Sequence, residues 1–176
     1  MRRNRTSALM ALVATVLLVS AALTAQDQST ANVPDGLALS AFKGFETWQV
    51  IAPSETDHGI KAIVGNPVMM KAYSDGVPAN GKPVPDGAMM AKIEWTKKSD
   101  AASPYAVNVP DTLKSLSFMV KDSKRYAQTG GWAWAQFTYE AGSNSFKPVG
   151  TGVGCGYECH TRVKARDFVF THYARR

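Results

Sequence analysis

Apolar and polar residues alternate in several short stretches through the middle of the chain. The clearest stretch covers residues 88–95, and a strand with this period would present two different faces. One face would carry Met89, Ala91, Ile93 and Trp95, and the other Met90, Lys92 and Glu94. Residues 116–121 show the same alternation, and residues 132–139 form an aromatic-rich run after Gly130 and Gly131. We therefore predict three strands in this half of the chain.

Two further apolar runs predict strands at residues 49–52 and 58–64, with Pro53 ending the first of them. Short helices are predicted at residues 45–48 and 68–73, and Asn66 and Pro67 provide a helix cap and first turn for the second. A single helical turn is predicted at 122–127, and a helix or short extended tail at 163–173. Loops are predicted at 74–87, 97–110 and 141–154, where Gly, Pro and Ser collect.

Because short strands follow one another without regular helices between them, the pattern favours an antiparallel sheet. We predict an α+β fold that is mainly β, in a single domain with a few short helices. The length of about 150 residues that remains after the N-terminal segment fits one domain. No basic cluster interleaved with aromatic residues is present, so we expect no nucleic-acid partner.

The N-terminal segment has the order of a secretory signal peptide. Three arginines precede an apolar run at residues 8–23, and polar residues begin at Gln26. We predict a signal peptide at 1–25, a flexible leader at 26–36, one domain at 37–176 and a periplasmic location. An uncleaved membrane anchor is the alternative, but the run is shorter than a spanning helix requires. Cleavage would lower the formal charge from +6 to +3, because residues 1–25 contain three arginines and no acid.

The C-terminal part contains both cysteines of the chain, Cys155 and Cys159, with His160 directly after the second. Two thiols and an adjacent imidazole are the groups that attach haem covalently and bind its iron. The usual motif has two residues between the cysteines, whereas this chain has three. A Cys155–Cys159 disulfide is the main alternative in an exported protein. A zinc site or a redox-active Cys-x-x-Cys pair is less consistent with these residues.

Eight segments along the chain resemble, in order, those of the cytochrome P460 family, which includes the cytochromes c′-beta. The segments are 45–48, 58–61, 65–67, 85–92, 121–126, 131–134, 159–160 and 167–171. The resemblance implies a mostly antiparallel β domain with a C-terminal haem-attachment segment. It also implies one covalently attached haem c, held by Cys155 and Cys159, with His160 as the proximal ligand of the iron. A homodimer is possible on the same grounds.

The resemblance further implies two residues of the haem pocket. Taken alone, Lys92 would be interpreted as a surface lysine, but in cytochrome P460 a strand lysine after an Asp-Gly turn is cross-linked to the porphyrin. Lys92 follows Asp86 and Gly87 in this way. Lys61, or Glu94, would shape the distal pocket. Such proteins are similar to enzymes that oxidise hydroxylamine to nitric or nitrous oxide and pass the electrons to a periplasmic partner.

Two positions differ from the hydroxylamine-oxidising members of the family. Lys61 stands where those members have an arginine, and Gly154 stands where they have a carboxylate before the first cysteine. A lost proton-transfer group would lower the rate of a proton-coupled step on the order of 100-fold. Two alternatives therefore stay open: a non-catalytic protein that binds nitric oxide or carbon monoxide, and a haem-free domain with a disulfide.

Overall fold

The structure is a computed structural model that describes residues 31, 37–150, 154 and 156–173. The signal peptide predicted at 1–25 lies outside these residues, as does all but Ala31 of the leader predicted at 26–36. Among the helices described, none is long and apolar enough to cross a membrane. The predicted fold class is confirmed: one antiparallel sheet dominates the domain, and the helices are short.

The sheet has six strands that lie side by side in the order in which they occur in the chain. They are β1 (Gln49–Thr56), β2 (Gly59–Gly65), β3 (Met89–Ser99), β4 (Asn108–Lys121), β5 (Trp132–Glu140) and β6 (Ser145–Val149). Every neighbouring pair is antiparallel. Helix α1 (Pro67–Ser74) crosses from β2 to β3, and helix α2 (Tyr157–His160) follows β6. Short 3₁₀ segments occur at Leu39–Phe42, Phe45–Thr47, Ala127–Thr129 and Thr161–Arg166.

Alternation along β3 divides the sheet into two faces, as the sequence predicts. The back face is defined by Ala91, Leu116, Phe118, Ala135 and Phe137, and the N-terminal residues Leu37, Leu39 and Phe42 cover it. The front face is defined by Met90, Lys92, Glu94, Ser117, Met119, Trp132 and Trp134. Helix α1 and the C-terminal residues Phe168 and Val169 pack against the end of the front face that contains Met90. Both faces are therefore covered, at least in part, by other segments of the chain.

Helix α1 begins where Asn66 and Pro67 predict it. The Asn66 side chain accepts a hydrogen bond from the backbone N–H of Met69 at 3.0 Å, and Pro67 occupies the first turn. The same oxygen accepts the N–H of Met89, and the Asn66 amide donates to the Gly87 carbonyl at 2.8 Å. Asn66 thus fixes the start of β3 as well as the start of the helix.

Three predictions of element boundaries are wrong. Pro53 does not end the first strand, because β1 is an edge strand and one missing backbone donor is tolerated there. The predicted connection at 97–110 is shorter, since β3 runs to Ser99 and Pro110 pairs with Lys97 in β4. The predicted loop at 141–154 contains β6.

The predicted helical turn at 122–127 is present, with a hydrogen bond from the Tyr126 N–H to the Asp122 carbonyl at 3.0 Å. The segment predicted at 45–48 forms a 3₁₀ turn, Phe45–Thr47. The C-terminal segment is 3₁₀ only as far as Arg166, and residues 169–173 have no regular structure.

Candidate functional site

Helix α2 brings His160 onto the front face beside Trp134, and the exposed Cys159 precedes it in the helix. The helix packs so closely that a Cβ atom on Gly156 would overlap the Trp134 side chain, so glycine is required at this approach. The His160 N–H donates to the Gly156 carbonyl at 3.0 Å, which fixes the histidine in the last turn of the helix. The imidazole then lies against Trp134, with ring centroids 5.3 Å apart.

One nitrogen of the His160 ring is committed to a hydrogen bond within the protein. Nδ1 lies 2.7 Å from the Phe168 carbonyl oxygen. A carbonyl can only accept, so Nδ1 carries the proton and Nε2 keeps its lone pair. Burial lowers the pKa of His160, against the opposing effect of this hydrogen bond, and the positive charge of Lys92 lowers it further. The imidazole is therefore neutral near pH 7, as a metal ligand must be.

The Phe168 carbonyl is presented by a tight turn that follows the 3₁₀ segment. Asp167 and Phe168 both have left-handed backbones, with φ of 47° and 64°. Such residues cost roughly 1–2 kcal/mol each when they carry a side chain, so surrounding contacts must hold them. The turn is closed by the Phe168 N–H, which donates to the Val163 carbonyl at 3.1 Å. This turn determines where the Nδ1 acceptor lies.

Lys92 lies on the front face at the centre of the sheet, between Ile63 of β2 and Ser117 of β4. Its side chain is partly buried, and within the described residues its amine has no hydrogen bond or ion pair. Burial lowers the pKa of Lys92 below its usual range. Lys92 lies one row from Met90, Met119 and Trp134, and His160 contacts Trp134, so both predicted site residues lie on the front face.

A charged cluster continues the front face beyond Lys92. Glu94 accepts a hydrogen bond from Lys114 at 3.0 Å and is paired in register with Lys61. Burial alone would raise the pKa of Glu94, but the Lys114 hydrogen bond and the nearby positive charges lower it below its usual range. Glu94 is thus held ionised, and Lys61 and Lys92 both lie beside it on the front face. The role of Lys61 in a distal pocket stays a prediction.

Several buried polar atoms of the front face have no partner in the described part of the chain. They are Ser117 Oγ, Trp132 Nε1 and Trp134 Nε1. Buried donors of this kind are rare in native proteins, and they are often explained by a bound group or water. Trp134 also contacts His160, and Ser117 is the cross-strand neighbour of Lys92. Two of the unpaired atoms therefore belong to residues that neighbour the candidate site residues His160 and Lys92.

The first cysteine of the motif lies outside the described residues. Cys159 is exposed and forms no disulfide with another described residue. The predicted roles of Cys155 and Cys159, and the alternative of a disulfide between them, therefore stay predictions. Within residues 31, 37–150, 154 and 156–173, no group of three or more His, Cys, Asp or Glu side chains is arranged to hold a metal ion by itself.

Sequence reasoning did not find the contacts that orient His160. A backbone carbonyl leaves no trace in residue identity, so the Phe168 acceptor could not be predicted. Trp134 is both buried and in contact with the histidine. The signal for close packing was present in Gly130 and Gly131: a Cβ atom on Gly130 would overlap the Phe168 ring.

Comparison with known proteins agrees with this arrangement. No curated protein sequence gives a significant match. The family model described as Cytochrome P460 matches residues 42–171, which include every strand of the sheet, helix α2 and the turn at Phe168. The match covers well over half of the chain, and membership of this family implies that the protein binds haem. The chain belongs to the cytochrome P460 family and is a c-type cytochrome of the P460 type.

Proposed function

We propose that the chain is a periplasmic mono-haem cytochrome that binds or oxidises small nitrogen compounds such as hydroxylamine. One haem c would be attached through Cys155 and Cys159, with His160 as the iron ligand. Electrons from the substrate would pass to another periplasmic protein, and a homodimer is one possible assembly. The observation that carries the proposal is the His160 imidazole, whose Nδ1 is hydrogen-bonded and whose Nε2 is left with a lone pair.

The residues of the front face fit a large, mainly apolar cofactor. Met90, Met119 and Trp134 form an apolar row across three strands, and the next row contains Lys92 and Ser117. The unpaired Ser117 Oγ and Trp134 Nε1 are buried donors that a bound group with polar substituents could satisfy. A bound haem supplies redox chemistry and an iron position that can accept a small ligand.

The protein residues would contribute three functions around that group. The His160 imidazole would bind on one side, and the Phe168 carbonyl would keep the ring in its tautomer. Lys92 is the candidate for a covalent bond to the porphyrin. Its lowered pKa increases the fraction of neutral amine, the nucleophilic form. The N–C bond would replace one N–H and one C–H bond, so it would also require an external two-electron oxidant. Lys61 and the ionised Glu94 would set the polarity of the small-molecule pocket.

A second function, gas binding without turnover, is favoured by a specific observation. The row next to Lys92 consists of Met90, Met119 and Trp134, which offer little proton-transfer chemistry. Gly154 also has no side chain that could act as a base. Glu94 has a carboxylate, but its lowered pKa makes that carboxylate a weak base. A pocket of this kind would suit nitric oxide or carbon monoxide.

The test begins with the full chain expressed in a periplasm that contains the haem-attachment machinery. We expect the intact mass to include one haem and to lack residues 1–25. A mass two hydrogens below that of the bare chain would instead indicate the disulfide alternative and overturn the proposal. The ferrous absorption spectrum is then recorded for the wild type and for Lys92→Ala, since a cross-link should shift the Soret band strongly to the red and the variant should abolish this shift.

Lys98→Ala is the matched control, because Lys98 lies on the same strand but is exposed and paired with Asp111 at 2.9 Å. Its spectrum should match that of the wild type. Turnover of hydroxylamine with an artificial oxidant separates the two functions of the haem-loaded protein. Measurable turnover supports oxidation, whereas tight nitric oxide binding with no turnover supports gas binding.

A further inference from the structure

A buried ion pair anchors the turn whose Phe168 carbonyl contacts His160, because its acidic member, Asp167, is a residue of that turn. Lys121 Nζ is 2.9 Å from each carboxylate oxygen of Asp167, and the two side chains are only 5% and 13% exposed. Lys121 also donates to the Gly130 carbonyl at 3.0 Å, and Asp167 accepts the backbone N–H of Val84 at 2.7 Å. The pair thus joins the end of β4, the loop before β3 and the C-terminal segment.

The pair requires an explanation beyond stability. Removing two charges from water is costly, and buried ion pairs often give no net stabilisation relative to apolar residues of the same size. Their best-supported use is to select one arrangement of the chain among several. Here the selected arrangement includes two consecutive left-handed residues, Asp167 and Phe168, which the backbone would otherwise disfavour.

The surroundings leave little freedom for another arrangement. A Cβ atom on Gly131 would lie 3.2 Å from both Cε and Nζ of Lys121, and one on Gly130 would overlap the Phe168 ring. Both glycines have positive φ, at 84° and 72°. The two glycines therefore open the space that the lysine and the phenylalanine fill. Asp167 and Phe168 are consecutive residues of one turn, so an anchor on the Asp167 carboxylate restricts where the Phe168 carbonyl lies.

We propose that Lys121 and Asp167 are positioning residues for the proximal histidine: by holding the turn, they keep the Phe168 carbonyl on His160 Nδ1 and so tune the imidazole as an iron ligand. This inference rests on the proposed role of His160. A strong hydrogen bond from Nδ1 increases electron density at Nε2, and a more basic ligand favours the ferric over the ferrous state. Loosening the turn should therefore raise the midpoint potential of the haem.

The sign of the shift separates this mechanism from a simple effect of charge. Removing a positive charge near the haem by Lys121→Met would lower the potential through space, whereas removing a negative charge by Asp167→Asn would raise it. If both residues act through the turn, both variants raise the potential, and the double variant shifts it by less than the sum. The iron–histidine stretching frequency of the ferrous protein should fall in each variant, since the imidazole becomes a weaker donor.

Shifts of opposite sign, or potentials and stretching frequencies equal to those of the wild type, would overturn the proposal. Asp167→Asn keeps the size of the side chain, so it remains testable if Lys121→Met fails to fold. Phe137→Leu, on the back face, is the control for general loss of stability and should leave both readouts unchanged. A wild type without haem would refute the proposed function, whereas a haem-loaded wild type with insensitive variants would refute this inference alone.

Discussion

The two faces of the sheet are completed in different ways. On the back face, Phe42 stacks on Phe118 at a centroid distance of 4.1 Å, and Phe45 and Phe137 meet the same ring edge-on. On the front face, the central position is occupied by a partly buried lysine that has no ion pair among the described residues. Three of the four unpaired buried side-chain atoms in the described chain lie on that face.

This difference shows how one sheet divides structure from chemistry. Aromatic contacts are satisfied by the chain itself, so the back face needs nothing further to be stable. Unpaired donors and a desolvated amine reduce stability unless something else compensates them. The centre of the front face is thus suited to a bound group, whereas the aromatic contacts of the back face are complete without one.

The largest expected effect comes from breaking the back face. Phe118 is 1% exposed and contacts three aromatic rings. Replacing it by alanine should lower the free energy of unfolding by about 3–5 kcal/mol, because a large cavity remains. Urea unfolding measures this loss. The ferrous spectrum of the protein that stays folded should be unchanged, and an altered spectrum would show that the two faces are not separate.

A smaller effect is expected from removing the buried amine of the front face in the chain prepared without haem. The pKa of Lys92 is lower in the folded than in the unfolded chain, so between the two values the unfolded chain binds more protons. Stability therefore increases as the pH rises toward 10.5, and Lys92→Met should remove this increase. Unfolding is compared from neutral pH to about pH 10. A rise of equal size in the variant would contradict a desolvated Lys92.

The smallest effect is expected at an exposed contact outside both faces. Asp86 accepts the N–H and the hydroxyl of Ser123, each at 2.7 Å, and these bonds lower its pKa. This contribution to stability is complete above pH 3.8 and is lost as the pH falls through the lower, folded-state pKa. In Asp86→Asn, the free energy of unfolding should therefore decrease slightly less steeply as the pH falls below 3.8. An unchanged acid profile would count against the contact.

The sequence predicts the centre of the sheet better than its margins. Residues 88–95 alternate because one set of side chains enters the aromatic back face, and residues 132–139 are rich in aromatic residues because both sides of that strand are largely buried. Both strands are confirmed. The positions at which the strands end are determined instead by pairing with neighbouring strands. The extension of β3 to Ser99 is supported by ion pairs such as Lys97 with Glu55 at 2.8 Å, which alternation does not reveal.

The sequence could identify side chains of the candidate site, but not the main-chain groups that orient them. Cys159, His160, Lys61 and Lys92 were identified because their residue types and order resemble those of a known family, and their roles remain predictions. The Phe168 carbonyl was out of reach, since it depends on a turn made by two left-handed residues. The Lys121–Asp167 pair joins residues 46 positions apart, and only the folded sheet brings them together.

Both outer strands of the sheet contain a proline, Pro53 in β1 and Pro148 in β6. A proline cannot donate a hydrogen bond to an added strand, and such residues protect open sheets from pairing edge to edge. Both edge strands of the six-stranded sheet are therefore protected, and pairing with a strand of another chain is disfavoured. Another molecule would therefore dock on a face or a loop of the domain, and the prolines protect the open edges against aggregation.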